Sequence, residues 1–314
     1  MSPPAFAVMP IRKELRLISN DIHPVRDIHR LVLNQIGDYF GNDTDPPPVP
    51  SGTLWRGSQA GTCARQVAYA TMGHESSNPI TPADHWRMGL GSIVHTHLSP
   101  AIERWVANDM DVIVHEEMET PLGEHGFGHI DMVIEVAQQG ATDPEENKKI
   151  VVELKTINGT GFKKSIQGEG PRHGAVLQGS LYANALNADL LVVCYLAVEL
   201  LSPGWAEAKG FDNYGRFGAE WHYTPDQFVP LAKQEIERLE WIAKTAHGVP
   251  GIEGVPRSFS ESDPDIPEGA VISDPATGIW HQHQDGALIA KGKAWQCNYC
   301  RYQDLCVSDH HRGF

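Results

Sequence analysis

Asp131, Glu153 and Lys155 are the residues of this 314-residue chain whose types and spacing could do chemistry. Asp131 closes the tetrapeptide Gly128-His-Ile-Asp131, and Glu153 and Lys155 stand two apart in Val151-Val-Glu153-Leu-Lys155. On a strand, side chains two apart point to the same side, so Glu153 and Lys155 share a face and leave Val152 and Leu154 for the core. An Asp and a Glu on neighbouring strands, both turned to one side, make an oxygen-rich site suited to Mg²⁺ or Mn²⁺. A Lys beside them can orient or deprotonate the attacking water. Such a set suits phosphodiester hydrolysis, in which the cation neutralises charge developing on the phosphate and lowers the pKa of water while the ammonium helps hold the nucleophile in line.

Taken alone, a Glu-x-Lys triplet also describes the solvated face of a half-exposed strand. Its surroundings add to it. Upstream, His95 follows Gly91-Ser-Ile-Val in a stretch of helical spacing. Downstream, Gln178-Gly-Ser-Leu-Tyr182 puts Gln178 and Tyr182 one helical turn apart on one face. Each signal by itself fits a structural residue, but four of them in a fixed order point to one site.

Two kinds of element must position these residues. Val112–Glu119, Phe127–Val136 and Lys149–Ile157 are rich in β-branched residues and separated by turn-forming segments, which predicts a meander of three strands. Ala175–Leu186 returns to helical spacing, Leu190–Leu200 is an apolar strand of the buried kind, and Pro225–His247 is a long helix capped by Thr224 and stopped by Gly248 and Pro250. Before them, Cys63–Met72 reads as a helix. Ala83–Asn108 does too, with Trp86, Leu90, Val94, Leu98, Ile102 and Trp105 on one stripe and Pro100 as a kink. Ile11–Phe40 predicts two short helices around Pro24, and Asp43–Ser51 a stiff Pro-rich linker. Ser258–Gly286, rich in Pro, Asp and Gly, predicts a long surface excursion before the cysteine tail. The order implies a mixed α/β fold in three parts: an N-terminal segment 1–50, a core 51–250 and a tail 251–314.

The chain carries 25 basic and 40 acidic side chains, a formal net charge of −15, which excludes a simple polybasic binder. The sign changes locally, however. Lys148–Arg172 holds six basic residues against Glu153 and Glu169, whereas Glu261–Gly278 holds five acidic residues and no basic one, so a polyanion would have to bind near the first stretch. Met1–Pro10 lacks the basic start and apolar run of a secretory signal, and the run Leu190–Leu201 is broken by Glu199 and too short for a bilayer. A soluble, cytoplasmic protein with no membrane partner is the expectation.

Three of the five cysteines, Cys297, Cys300 and Cys306, fall in the last 18 residues as C-x₂-C-x₅-C. A cage of four thiolates needs one more ligand, from Cys63 or Cys194. Cys194 lies mid-strand, where a cysteine serves as a small hydrophobe. Zinc also accepts four thiolates, but a zinc ribbon presents two C-x₂-C pairs and this tail has one.

The order Gly91-Ser-Ile-Val-His95, Gly128-His-Ile-Asp131, Glu153-Leu-Lys155, Gln178-x-x-x-Tyr182 resembles the RecB-like branch of the PD-(D/E)XK nucleases, over about Gly89–Leu200. The resemblance implies a restriction-endonuclease-like mixed β-sheet core flanked by helices. It also implies a Mn²⁺ or Mg²⁺ ion held by His95, Asp131, Glu153 and the backbone carbonyl of Leu154, with Lys155 assisting the water. Gln178 and Tyr182 would contact the DNA strand and support the site, and His173 is a weaker carry-over. Ile130 stands where the family has a leading Pro. Cys63 resembles the single N-terminal cysteine of the iron-sulfur members, among them CRISPR-adaptation exonucleases and AddB-type nuclease domains, so a [4Fe-4S] cluster on Cys63, Cys297, Cys300 and Cys306 would staple the two ends of the core. The implied activity is a DNA exonuclease, in CRISPR adaptation, recombination or repair. No Walker motif, and hence no ATP motor, is present, so single-stranded DNA ends are the natural substrate. The alternative is a decayed relative that binds nucleic acid or a partner around a structural iron-sulfur or zinc site.

Overall fold

The computed structural model describes residues 51–78, 81, 84–86, 88–94, 96, 112–137, 147–212, 214–248, 252, 255–256, 271–274, 279–284, 287–293, 297 and 300–311. The expected N-terminal helices, most of the linker 43–51, and His95 lie outside these residues. Thr81–Met88 falls in one compact unit and the other described residues in a second. In the first, Thr81 and Asp84 cap the start of a helical turn reciprocally: Asp84 Oδ2 accepts from the Thr81 N–H at 3.1 Å and Thr81 Oγ1 from the Asp84 N–H at 3.3 Å.

The second unit is built on a six-stranded mixed sheet, β1 (Trp55–Arg56), β2 (Val112–Leu122), β3 (Gly126–Val136), β4 (Lys148–Ile157), β5 (Leu190–Ala197) and β6 (Gly218–Tyr223). β2 pairs antiparallel along the whole of β3, from Val112 opposite Val136 to Leu122 opposite Gly126. The other edge of β3 is shared in succession by β1, parallel at Gly126 and Phe127, and β4, antiparallel from Met132 to Val136. β4 and β5 are parallel, Ile150 opposite Leu190 through Ile157 opposite Ala197. Parallel neighbours require a crossover. It is made of α2 (Gly159–Lys164), a π-helical turn (Ser165–Glu169) and α3 (His173–Ala185).

The three expected strands of the meander, the strand expected at Leu190–Leu200 and the helices expected at Ala175–Leu186 and Pro225–His247 are present, with shifts of a few residues at their ends. Most of the helix expected at Ala83–Asn108, including Pro100, lies outside the described residues. The helix expected at Cys63–Met72 is α1 (Ala64–Thr71), with Cys63 at its N-cap. After α4 (Pro203–Ala208), α5 (Pro225–Gly248) buries Phe228, Ala232, Leu239, Ile242, Ala243 and Ala246 at helical spacing. Its start is capped as the sequence implies: the Thr224 N–H donates to Gln227 Oε1 at 3.0 Å. No helix among the described residues is long and apolar enough to cross a membrane.

The tail differs from expectation. Where composition predicts a surface excursion, the backbone forms an antiparallel meander of β7 (Val271–Asp274), β8 (Ile279–Gln284) and β9 (Ala287–Lys293), followed by α6 (Gln303–His311). The reason lies in Val271-Ile272 and Ile279-Trp280, short β-forming pairs that the surrounding Pro, Asp and Gly mask in a composition window.

Candidate functional site

β4 is central, flanked by β3 and β5, and both its faces are covered: Val151 and Glu153 are fully buried on one, and Leu154 is buried on the other. α3 covers the Glu153 face closely enough that a Cβ on Gly179 would lie 3.2 Å from the Cβ of Glu153. Glu153 and Lys155 therefore do share a face, but that face is interior, and Lys155 alone extends to the rim with its side chain 36% exposed.

Asp131 joins them through a break in the ladder. The β3–β4 pairing ends at Met132 opposite Val152, so the next residues in line are Asp131 and Glu153. The Leu154 N–H, left without a ladder partner, donates to Asp131 Oδ2 at 2.8 Å. The two carboxylates are thus placed side by side where two strands part.

The electrostatics are those of an unfinished site. Glu153 Oε1 pairs with Lys155 Nζ, while Oε2 accepts no hydrogen bond among the described residues. A buried carboxylate oxygen with no donor is costly unless something absent from a bare polypeptide neutralises it. Burial pushes the Glu153 carboxyl up to about 7; Lys155 opposes the rise and Asp131 adds to it. Burial depresses Lys155, but Glu153 and Asp131 outweigh it and hold the ammonium above its ordinary value. The donor set, two carboxylates with one oxygen unclaimed, fits a hard divalent cation.

Behind the carboxylates, Gln178 Nε2 donates to Tyr182 Oη at 3.2 Å, as their spacing on α3 predicts. Tyr182 is only 2% exposed, wedged between two glycines: a Cβ on Gly57 would lie 2.6 Å from its hydroxyl, and one on Gly128 2.4 Å from Cε1. The Tyr182 ring is thus enclosed by protein, while Gln178 is half-buried. His173 is the first residue of α3 and is half-buried. Residues 89–94, helical and directly ahead of His95 in the sequence, reach the same strand: a Cβ on Gly91 would lie 3.6 Å from Thr156 Oγ1, next to Lys155.

The basic stretch is divided. Lys148 and Lys149 begin β4, seven and six residues from Lys155, about 23 and 20 Å along the strand. Lys163 and Lys164 end α2, on the Lys155 side, where Lys163 Nζ sits 4.6 Å from the centroid of the Trp205 ring. Only the second pair lies on the site's side of the strand.

The four cysteines at the ends of the core converge. The Cys63 thiol feels Cys306 and Cys300, and Cys297 feels Cys63, Cys300 and Cys306. Burial pushes Cys63 up to about 11, against the pull of the Arg65 and Gln66 backbone N–H groups at the start of α1, and Cys297 up to about 12. All five cysteines are free thiols. The tail is tied to α1 and the loop after it: Tyr69 Oη donates to Asp309 Oδ2 at 2.7 Å, Asn78 Nδ2 to the Cys300 carbonyl at 3.1 Å, and the Asn78 N–H to the Arg301 carbonyl at 2.9 Å. Cys194 stands apart, in β5 opposite Leu154 and Glu220, its thiol raised by burial and by Glu220. Four half-buried thiols that feel one another are a ligand type that suits a thiophilic metal or cluster.

Among the described residues, one group of three, Glu124, His125 and Glu240, brings its ligand atoms within 4.8 Å of one another. It is already satisfied by protein. Glu240 Oε1 accepts from Trp55 Nε1 at 3.1 Å and from the Glu124 and His125 N–H groups at 3.0 and 2.8 Å, and Oε2 meets His125 Nδ1 at 2.7 Å. Lys244 Nζ adds a cation 2.8 Å from Glu124 Oε2. This cluster clamps the β2–β3 turn to α5.

Sequence reasoning missed β1, β6, α2 and α4, and with β1 the Gly57 side of the Tyr182 pocket. The available signal was glycine inside regular elements, Gly128 in a strand and Gly179 in a helix, which marks close approach.

No protein-family model matches the chain, and no curated protein does. Solved structures similar to it include SSO0001, at 14% identity and TM-score 0.39 over 70% of this chain and 87% of that one. Two others are an alkaline exonuclease, LHK-Exo, from Laribacter hongkongensis, at 10% identity and TM-score 0.39 over 63% of this chain and 91% of that one, and a phage related exonuclease from Haemophilus somnus 129PT, at 11% identity and TM-score 0.36 over 59% of this chain and 81% of that one.

Proposed function

We propose that the chain is a divalent-metal-dependent deoxyribonuclease that degrades single-stranded DNA from an end, a cytoplasmic enzyme stapled by a [4Fe-4S] cluster. One observation carries the reading: Glu153 is fully buried beside Asp131 and one of its oxygens has no hydrogen-bond donor. A carboxylate placed so is unfavourable as structure and useful as a cation ligand.

Asp131, Glu153 and the Leu154 carbonyl would hold Mn²⁺ or Mg²⁺, with His95 as a fourth ligand. When bound, the ion supplies Lewis acidity toward the phosphate and makes water acidic enough to attack. Lys155, anchored by Glu153 and with a partly exposed side chain, orients that water and carries positive charge toward the phosphate. Gln178 and Tyr182 keep α3 packed against the Glu153 face so that the carboxylate does not swing away. Lys163 and Lys164 offer phosphate contacts beyond Lys155, and with no motor in the chain the strand must arrive already single. Cys63, Cys297, Cys300 and Cys306 would ligate the cluster, closing the chain between residues 63 and 297. Recombination, repair and CRISPR adaptation all present such ends.

The test is digestion of linear and circular single-stranded DNA with Mn²⁺. The linear form should vanish while the circle persists; equal loss of both would show internal cutting, and survival of both would favour a binding protein with a decayed site.

A further inference from the structure

Glu117 lies in the middle of β2 with φ of 50°, in the left-handed region that residues bearing a Cβ enter only when their surroundings impose it. Its neighbours Glu116 and Met118 pair with Met132 and Ile130, so the residue facing Glu117 is Asp131. The register on either side is the same, which means that no extra residue has been inserted and the distortion is taken up in backbone dihedrals. Asp131 is also the residue at which the ladder on the other edge of β3 stops.

The burial of β3 changes phase at the same point. Gly126, Phe127, Gly128 and Ile130 are buried before it, and across it the spacing from Ile130 to Val133 is three where a regular strand gives two. β3 therefore turns over at Asp131 to Met132, and a partner that keeps its register must turn with it.

We propose that Glu117 is a positioning residue: its left-handed backbone lets β2 follow the turn in β3 that takes Asp131 out of the ladder and onto the Leu154 N–H, beside Glu153. The role belongs to the backbone of residue 117, not to its carboxylate. The consequence for catalysis rests on the reading of Asp131 as a cation ligand, whereas the placement of Asp131 does not.

The experiment is a series at position 117 in the full chain, with Glu116→Val as the control for loss of a charge from the same strand. Glu117→Gly accepts positive φ freely, Glu117→Ala resists it and Glu117→Val resists it most. Two readouts are followed: hydrogen exchange of the Leu154 amide, which reports its bond to Asp131 with or without metal, and Mn²⁺ affinity by electron paramagnetic resonance. Glu117→Gly and Glu116→Val should keep wild-type protection at Leu154 and wild-type Mn²⁺ affinity, while Glu117→Val should lose about tenfold in each, the worth of one hydrogen bond. If Glu117→Val does not fold, Glu117→Ala should show the same loss in smaller degree. Wild-type protection at Leu154 in both the Ala and Val variants would overturn the proposal, and so would a loss in Glu117→Gly as large as in Glu117→Val, because the carboxylate would then be what matters. A wild-type protein that binds no Mn²⁺ refutes the nuclease reading separately, and Leu154 exchange still decides the role of Glu117.

Discussion

The Leu154 N–H donates to Asp131 Oδ2 at 2.8 Å, at the point where β3 and β4 cease to pair. One carboxylate thereby does the work of a missing ladder partner and is fixed next to the second, Glu153, whose burial under α3 leaves it one oxygen short of satisfaction. The fold spends regularity at this fork to bring two acids together.

Glu153 sets a pH dependence whose sign is opposite to that of an ordinary salt-bridged carboxylate. Burial raises its pKa from 4.5 to about 7, so its contribution to stability is fully present below pH 4.5 and is lost as pH rises to about 7. Metal-free protein should lose stability across that window, and Glu153→Gln should flatten the profile. Cation binding must expel the same proton, so Mn²⁺ affinity should fall by up to about tenfold per pH unit below 7. Titration calorimetry in buffers of different ionisation enthalpy reads the proton directly, and release of none at pH 6 would count against the assignment.

Gly128 is required by the Tyr182 ring. Gly128→Ala places a Cβ 2.4 Å from Cε1 of a side chain that Gly57 blocks from retreating, and should cost about 1–3 kcal/mol in denaturant unfolding. In a Tyr182→Ala background the same substitution should cost much less, a coupling that two independent sites would not show. Tyr182→Phe, which loses the bonds that Gln178 and the His129 backbone make to the hydroxyl, should cost about 1–2 kcal/mol.

For the thiolates, protein purified without oxygen should be brown and contain iron and acid-labile sulfide. Cys63→Ala should lose colour and solubility, and Cys194→Ala, whose thiol has Glu220 rather than the other cysteines for company, should keep both. Stoichiometric zinc without sulfide, in protein from iron-replete cells, would exclude the cluster.

Lys163 and Lys164 predict how binding responds to salt. Affinity for single-stranded DNA should fall steeply with ionic strength, and replacing both by Ala should lower the log–log slope by about 0.7 for each phosphate no longer neutralised. Lys148→Ala with Lys149→Ala, at the far end of β4, should leave the slope unchanged.

Much of this was legible in the sequence because period-2 and period-3.6 patterns survive in single segments: the three strands, α3 and α5 stand close to where periodicity puts them, and Gln178 meets Tyr182 as their spacing implies. The strand face carrying Glu153 and Lys155 was legible too, but its depth was not, since burial depends on which element lies on top and nothing within β4 itself says that α3 packs across it. The Tyr182 pocket draws on Gly57, Gly128 and α3, three segments whose convergence only the fold reveals. β7 and β8 were hidden because short apolar pairs among Pro, Asp and Gly are outvoted in any window. The distortion at Glu117 left no trace at all, because Glu is an ordinary strand-surface residue and carries none of the signals of a left-handed position.

The central claim is that Asp131, Glu153 and Lys155 form a cation-dependent hydrolytic site. The most direct measurement is the rate at which wild type and Glu153→Gln release nucleotides from linear single-stranded DNA in Mn²⁺, with binding to the same DNA measured in parallel. Glu153→Gln keeps the shape and hydrogen-bonding size of the side chain but removes the charge that holds the ion, so the rate should fall by about a hundredfold or more while DNA affinity stays within about threefold. A Glu153→Gln variant that digests DNA at the wild-type rate would contradict the account.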